Sequence, residues 1–100
     1  MIVVRTVFQA KWGQADALVR AVREGQQAMI QEAGIHGRIL TDLGGQFFTV
    51  VLEGEFENLA AWEQFRARMF QDPRFQQSAA QGEGLIESGR QEFFTVAAEI

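Results

Sequence analysis

The segment 35–56 constrains the fold of this chain most strongly. Two stretches rich in β-branched and aromatic residues, IHGRILTDL and QFFTVVLEGEF, flank the dipeptide Gly44-Gly45. Two glycines between such stretches predict a tight β-hairpin, because both turn positions can adopt positive φ without strain. A two-residue loop also sets the register of the strands, and it predicts that His36 faces Glu53.

The segments on either side of the hairpin alternate between strand and helix patterns. Residues 2–10 alternate as in a strand, and residues 14–33 have helical periodicity. Gly25 lies within the apolar stripe of that helix, where it predicts a close approach to the sheet. After the hairpin, Asn58 is a predicted N-cap for a helix over 59–70.

The last third of the chain predicts one more short helix and one more strand. Asp72-Pro73 combines an N-cap with the residue favoured at the first helical position, so a helix restarts there. Residues 81–84 are predicted to be irregular. Ser88-Gly89 predicts a turn into a final strand over 90–98.

The resulting order, β-α-β-β-α-β, is that of a split βαβ unit. It predicts a single α+β domain over residues 1–100 with a ferredoxin-like fold. Two helical segments would cover one face of a four-stranded antiparallel sheet, in the strand order 4-1-3-2.

Both faces of the predicted sheet carry apolar side chains. The more apolar set is placed under the helices and includes Ile2, Val4, Phe8, Phe94 and Val96. The other face would still carry seven apolar residues: Val3, Val7, Leu40, Phe47, Val51, Phe93 and Ala97. Because a monomer rarely exposes so large an apolar surface, this face is predicted to meet a second copy of the chain in a homodimer.

Composition narrows the classes of function. The chain has no cysteine and one histidine, which argues against disulfides, thiol chemistry and a metal site of zinc type. Its net charge is −4 and its nine basic residues are scattered, which argues against a nucleic-acid surface. No apolar run is long enough to cross a membrane, and the chain enters strand-like sequence without a signal peptide. A cytoplasmic protein is therefore expected.

The chain resembles the dimeric α+β barrel superfamily, which includes antibiotic-biosynthesis-type monooxygenases, NIPSNAP-like proteins and stress-responsive barrel proteins. The similarity covers nearly the whole chain and is carried by IVVRTVFQAKWG, the hairpin, WEQFRARMFQDPRFQQ and ESGRQEFFTV. The oxygenases of this superfamily typically have an Asn on the first strand and a Trp, often with a His, on the second helix. Here the first strand has Arg5 and Thr6, Trp62 matches the aromatic residue, and Met69 stands where some members have the His.

The first candidate site is the predicted pairing of His36 with Glu53. A carboxylate beside an imidazole fixes its tautomer, and histidine can then act as a general base near neutral pH. Arg5, on the neighbouring strand and the same face, could hold an anionic substrate or an enolate-like oxygen, and Arg38 is a further candidate for substrate binding. The alternative is a structural ion pair of Glu53 with Arg5 or Arg38.

The second candidate site is a pocket between the sheet and the helices. Its predicted lining residues are Thr6, Phe8, Trp62, Phe65 and Met69. Apolar pockets with few polar groups are the usual sites for small ligands. The alternative is that these side chains form a solid core.

Three hypotheses of function follow. The first is a small cofactor-independent enzyme, a monooxygenase or isomerase, acting on a hydrophobic small molecule; the resemblance implies this class of substrate. The second is a ligand-binding or interaction module without catalysis. The third is a dimer with a filled core and no small-molecule ligand.

Overall fold

The computed structural model describes all 100 residues and contains four strands and three helices. In chain order these are β1 (Ile2–Ala10), α1 (Ala15–Glu32), β2 (Gly37–Thr41), β3 (Thr49–Phe56), α2 (Leu59–Gln71), α3 (Pro73–Glu83) and β4 (Ile86–Thr95). The strands form one antiparallel sheet in the order β2-β3-β1-β4. Read from the other edge this is 4-1-3-2, so the predicted ferredoxin-like fold and its strand order are confirmed.

The two helices after the hairpin begin at side chains that cap them. Asn58 Oδ1 accepts a hydrogen bond from the Ala61 N–H at 2.9 Å, and Asp72 Oδ1 accepts one from the Arg74 N–H at 2.8 Å. Each bond satisfies a main-chain donor that the first turn of a helix leaves without an intrahelical partner. Pro73 occupies the start of α3, where its missing N–H is not needed. Both predicted N-caps are confirmed.

The sheet has a helix face, which α1, α2 and α3 cover, and an open face. Side chains of β1 alternate between the two faces, so Val4 and Thr6 lie on the helix face while Arg5 and Val7 lie on the open face. The larger core cluster lies under α2 and consists of Val4, Met29, Phe56, Trp62, Phe65 and Met69. The smaller one lies under α1 and consists of Ala10, Leu18, Val22 and Val50.

The loop between β2 and β3 is longer than the predicted two-residue turn. It comprises residues 42–48, and Arg38 rather than His36 lies opposite Glu53. Asp42 Oδ1 accepts a hydrogen bond from the Thr49 N–H at 3.0 Å, and Phe48 adopts a positive φ of 58°. The predicted pairing of His36 with Glu53 is therefore wrong. Because the shift is by two residues, each side chain within β2 and β3 keeps its predicted face of the sheet. Phe47, predicted for the open face, lies instead in the loop before β3.

An aromatic cluster stabilises this longer loop. The Trp12 ring packs edge-on against Phe48, with centroids 4.7 Å apart, and against Phe47 at 5.6 Å. A positive φ is unfavourable for a bulky residue. The contact with Trp12 and the packing of Phe48 against the smaller core cluster offset that strain.

Strand β4 begins four residues before its predicted start at Arg90. The preceding stretch, predicted to be irregular, continues α3 as far as Glu83. Gly89 lies inside the strand opposite Phe8, and a Cβ there would approach Phe8 Cδ1 and the Val7 carbonyl oxygen to 3.4 Å. The glycine thus makes room for Phe8 rather than forming a turn.

The predicted faces of the two aromatic residues in β4 are also wrong. Phe93 lies opposite Val4 on the helix face, where its ring centroid is 6.1 Å from that of Trp62. Phe94 lies opposite Val3 on the open face and is half exposed. In this register Gly89 pairs with Phe8 within a continuous strand. The sequence instead predicted a turn at residues 88–89, so the faces of the residues that follow were assigned wrongly.

The helices α1 and α3 are in close contact at Gly25. The Ser78 hydroxyl donates a hydrogen bond to the Ala21 carbonyl oxygen one turn earlier on α1. A Cβ at position 25 would lie 2.6 Å from Ser78 Cβ, which is closer than real side chains approach. Gly25 is therefore required by helix–helix packing, and the prediction that it packs on the sheet is wrong. No helix of the structure has both the length and the apolar character needed to cross a membrane.

Candidate functional site

A cavity of about 130 Å³ lies between the helix face of the sheet and the helices, and we call it the inner cavity. Its walls include all five residues predicted to line such a pocket: Thr6, Phe8, Trp62, Phe65 and Met69. The three α2 residues among them are buried, because their helical spacing places them on one stripe facing the sheet. The structure therefore brings the second predicted constellation together around an open space.

Two polar residues of the inner cavity were not predicted. Gln91 Nε2 donates a hydrogen bond to Thr6 Oγ1 at 3.2 Å, and the amide of Gln26 borders the same space from α1. Glu53 borders the cavity as well, but its side chain belongs to the open face, where it binds Arg38. Gln91 lies directly opposite Thr6 in the pairing of β1 with β4. A sequence prediction with the correct β1–β4 register would therefore have identified Gln91 as a cavity residue.

This lining determines what the inner cavity can do chemically. Hydroxyl and amide groups can orient a ligand oxygen and donate hydrogen bonds to it, but they do not remove protons near neutral pH. An apolar cavity of about 150 Å³ is large enough to hold benzene. The inner cavity, at about 130 Å³, is close to that size, so it suits one aromatic ring or an aliphatic group of similar size, with an attached oxygen atom at the exposed side beside Thr6 and Gln91.

The other predicted constellation is not assembled as expected. Arg38 Nη2 donates to Glu53 Oε1 at 3.2 Å, which is the alternative ion pair considered from the sequence. Arg5 Nη1 lies 3.7 Å from Glu92 Oε1, and Arg90 Nε donates to Glu92 Oε2 at 3.1 Å. His36 precedes β2 at the edge of the sheet and is exposed. The roles predicted for His36, Glu53 and Arg5 in catalysis stay predictions.

One nitrogen on the open face has no hydrogen-bond partner. Arg5 Nε is buried among its neighbours in β3 and β4 and makes no hydrogen bond within the chain. A buried donor without an acceptor costs about 1–3 kcal/mol. The open face of the isolated chain is thus incompletely satisfied at its centre.

The strongest electrostatic perturbation lies away from both constellations. Arg74 donates hydrogen bonds to Glu32 Oε1 at 3.0 Å and to Asp72 Oδ2 at 2.8 Å. These bonds and the guanidinium charge lower the pKa of both carboxyl groups and raise the pKa of Arg74. The network links the end of α1 to the junction of α2 and α3. No group of three or more metal-ligating side chains comes together in the structure.

Solved structures of proteins from several bacteria share this fold. An uncharacterised NIPSNAP domain protein from Burkholderia xenovorans is 18% identical, with a TM-score of 0.85 over 98% of this chain and 96% of its own. Protein Atu4242 from Agrobacterium tumefaciens is 22% identical, with a TM-score of 0.86 over 97% and 94%. A candidate antibiotic biosynthesis monooxygenase from Chloroflexus aurantiacus is 18% identical, with a TM-score of 0.76 over 98% and 95%. At these identities the likeness shows the fold.

The sequence itself supplies the family. No curated protein matches it. The model of the antibiotic biosynthesis monooxygenase family matches residues 1–81, which include β1 through α2 and most of α3, and with them every residue predicted for the inner cavity. The resemblance seen in the sequence is thus confirmed, and the chain belongs to the antibiotic biosynthesis monooxygenase family.

Proposed function

We propose that this protein binds a hydrophobic small molecule in the inner cavity and acts on it as a cofactor-independent monooxygenase. The observation that carries the proposal is the inner cavity itself, which is lined mainly by apolar side chains and has the hydrogen-bonded pair of Thr6 and Gln91 at its solvent-exposed side. Sites of this composition orient apolar ligands through a few polar contacts. The family match and the Chloroflexus aurantiacus relative support the class of reaction.

The chemistry requires a substrate with an acidic C–H bond, because no side chain directed into the inner cavity is a strong base. Transfer of one proton to solvent water gives a carbanion, which transfers electrons to O₂ and forms the C–O bond of a peroxide anion. A proton returned from solvent converts this anion to a hydroperoxide. Loss of water from the hydroperoxide then leaves a carbonyl group, so that R₂CH₂ and O₂ yield R₂C=O and H₂O. Amide donors such as Gln26 and Gln91 would stabilise the enolate oxygen of this carbanion. An isomerase would reprotonate the same enolate at another carbon.

Binding can be tested through Trp62, which lines the inner cavity. The chain has two tryptophans, and Trp12 is exposed, so Trp12→Phe leaves Trp62 as the only indole emitter. In that background we expect phenol to change the Trp62 emission saturably. Thr6→Leu, which fills the cavity, should abolish the change, whereas Thr95→Leu at the end of β4 should preserve it. A response to phenol that survives Thr6→Leu would contradict binding in the inner cavity.

Turnover can be tested by oxygen consumption with a panel of aromatic ketones that have acidic CH₂ groups. The proposal expects one O₂ consumed for each carbonyl product, with Thr6→Leu inactive. The predicted role of His36 as a base requires that His36→Ala lose most of this turnover while the fold persists. Unchanged turnover in His36→Ala would eliminate that role.

A second candidate function is binding without catalysis, and one observation favours it. The inner cavity has hydroxyl and amide groups but no acid or base directed into it. Phenol binding reported by Trp62, together with oxygen consumption no faster than in buffer, would support the binding protein over the enzyme.

We further propose that the chain forms a homodimer through the open face. Half-exposed Phe94 lies opposite Val3 on this face, and Arg5 Nε at its centre has no acceptor. A second copy would cover the apolar surface, and its carboxylates could reach Arg5. Light scattering measures the mass directly, and a monomer at micromolar concentration would contradict the dimer.

A further inference from the structure

A groove that adjoins the inner cavity runs between α1 and the outer strand β2, and we call it the edge groove. The two spaces share part of their walls: Gln26, Ile30, Ile35 and Leu52. Its volume is about 350 Å³, within the range of ordinary ligand sites. Aliphatic side chains form its floor: Val22, Ile30, Ile35, Ile39 and Leu52. All but Val22 are only partly buried in the chain, so a ligand would remove further apolar surface from water.

The rim of the edge groove is basic. Arg23 from α1, together with His36 and Arg38 beside and within β2, lines the groove, and no acidic residue does. This is unusual in a chain whose net charge is −4. Arg38 has a partner in Glu53, but Arg23 makes no ion pair within the chain. Its guanidinium is therefore free to bind an anion.

The sequence explains why apolar and basic groups meet in this groove. On α1, Val22, Gln26 and Ile30 follow each other at intervals of four residues and face the sheet, while Arg23 and Gln27 lie beside them toward solvent. Gly37 in β2 has no side chain, and a Cβ there would approach Ile30 Cγ2 to 3.2 Å. Because Gly37 has no side chain, Ile30 stays uncovered and forms part of the floor of the groove.

We propose that the edge groove is a binding site for a small amphipathic carboxylate. The apolar part of the ligand lies on the aliphatic floor, and the carboxylate accepts hydrogen bonds from the Arg23 guanidinium in the forked geometry that arginine offers to carboxylates. The glutamine amides of α1 supply further donors without adding negative charge. Neutral ligands of the same shape gain the apolar contact alone and bind more weakly.

The test compares 3-phenylpropanoate with its neutral counterpart 3-phenylpropan-1-ol. Titrations followed by NMR through the amide of Gly37, which lines only the edge groove, and through the indole N–H of Trp62, which lines only the inner cavity, distinguish the two sites. We expect the carboxylate to shift Gly37 and to bind about tenfold more tightly than the alcohol, as for one charge-assisted contact. Added salt should reduce this preference, because the groove is open to solvent.

Arg23→Gln should remove the preference for the carboxylate. Arg20→Gln, one turn earlier on α1 and outside the groove, is the matched control and should retain it. Equal affinities for the two probes, equal behaviour of the two variants, or the absence of any shift at Gly37 would each overturn the proposal. Because the inner cavity is monitored separately, none of these outcomes depends on the proposed monooxygenase.

Discussion

The two faces of the sheet differ in the kind of polar side chain that accompanies their apolar residues. The helix face directs no ionised side chain into the inner cavity, whose polar groups are the neutral hydroxyl and amides of Thr6, Gln26 and Gln91. The open face alternates apolar residues with charges that pair between strands, as in Arg38 with Glu53. Neutral polar groups suit a largely apolar cavity, because desolvating an ion is expensive. Paired charges between apolar residues instead suit a surface that meets water before it meets a partner.

The largest expected effect is on the free energy of unfolding, and it tests whether side chains of the helix face contribute more to this free energy than those of the open face. Phe65 is 4% exposed, and Phe65→Ala should lower the free energy of unfolding by about 3–5 kcal/mol. Phe94→Ala on the open face should have a much smaller effect in the monomer, because half of that side chain is already in contact with water. Urea unfolding at low protein concentration measures both. Equal losses would remove the energetic distinction between the faces.

The next effect concerns the open face alone. Phe94→Glu should raise the dissociation constant of the proposed dimer at least tenfold, because an unpaired carboxylate would enter an apolar contact. The urea midpoint of the dilute monomer should change little. Light scattering over a range of concentrations gives the dissociation constant, and an unchanged mass profile would place the interface elsewhere.

A third substitution tests how closely α1 and α3 pack against each other in the helix layer. Gly25→Ala should gain about 1 kcal/mol in helix propensity but lose about 1–3 kcal/mol to overpacking against Ser78, so a net loss of stability is expected. Gly82→Ala in α3 is the matched control, since its Cβ would meet only ordinary contacts at 3.8 Å, and it should be neutral or stabilising. Adding Ser78→Gly should relieve the clash in Gly25→Ala. A stabilised Gly25→Ala would contradict the close contact of α1 with α3.

The smallest effect concerns the exposed network around Arg74, at the outer rim of the helix layer. The pKa values of Asp72 and Glu32 are lowered in the folded chain, so their contribution to stability is present above the unfolded values of about 3.9 and 4.3. It is lost as the pH falls through the lowered values. Arg74→Met should therefore flatten the acid limb of a plot of melting temperature against pH. Arg68→Met, which removes an arginine without an ion pair, should leave the limb unchanged.

Sequence reasoning predicted the parts of the molecule that local rules determine. The stripe of Trp62, Phe65 and Met69 follows from helical periodicity, and the caps at Asn58 and Asp72 follow from the need of a helix start for acceptors. The strand order followed from the succession of elements. The residues around the inner cavity were predicted because the same stripe had to meet Thr6 and Phe8 on β1, whereas the sequence left open whether they enclose a space or form a solid core.

The errors arose where long-range contacts override local signals. Gly44-Gly45 has the composition of a tight turn. In the structure, however, Asp42 accepts a hydrogen bond from the Thr49 N–H, and Trp12, which precedes α1 in the chain, packs on Phe48. The resulting shift separated His36 from Glu53. Gly89 likewise resembled a turn residue, although its partner is Phe8 across the sheet. Pairings of this kind depend on the folded neighbour and not on the adjacent sequence.

The short outer strand β2 has a consequence for how far the sheet can extend. Exposed edges of sheets invite further strands from other molecules, and natural proteins prevent this with brief edges and charged side chains. One edge here has only the five residues Gly37–Thr41, with Arg38 among them, and the other, β4, carries Glu87, Arg90 and Glu92. The charged side chains on both margins therefore disfavour the addition of strands from other molecules.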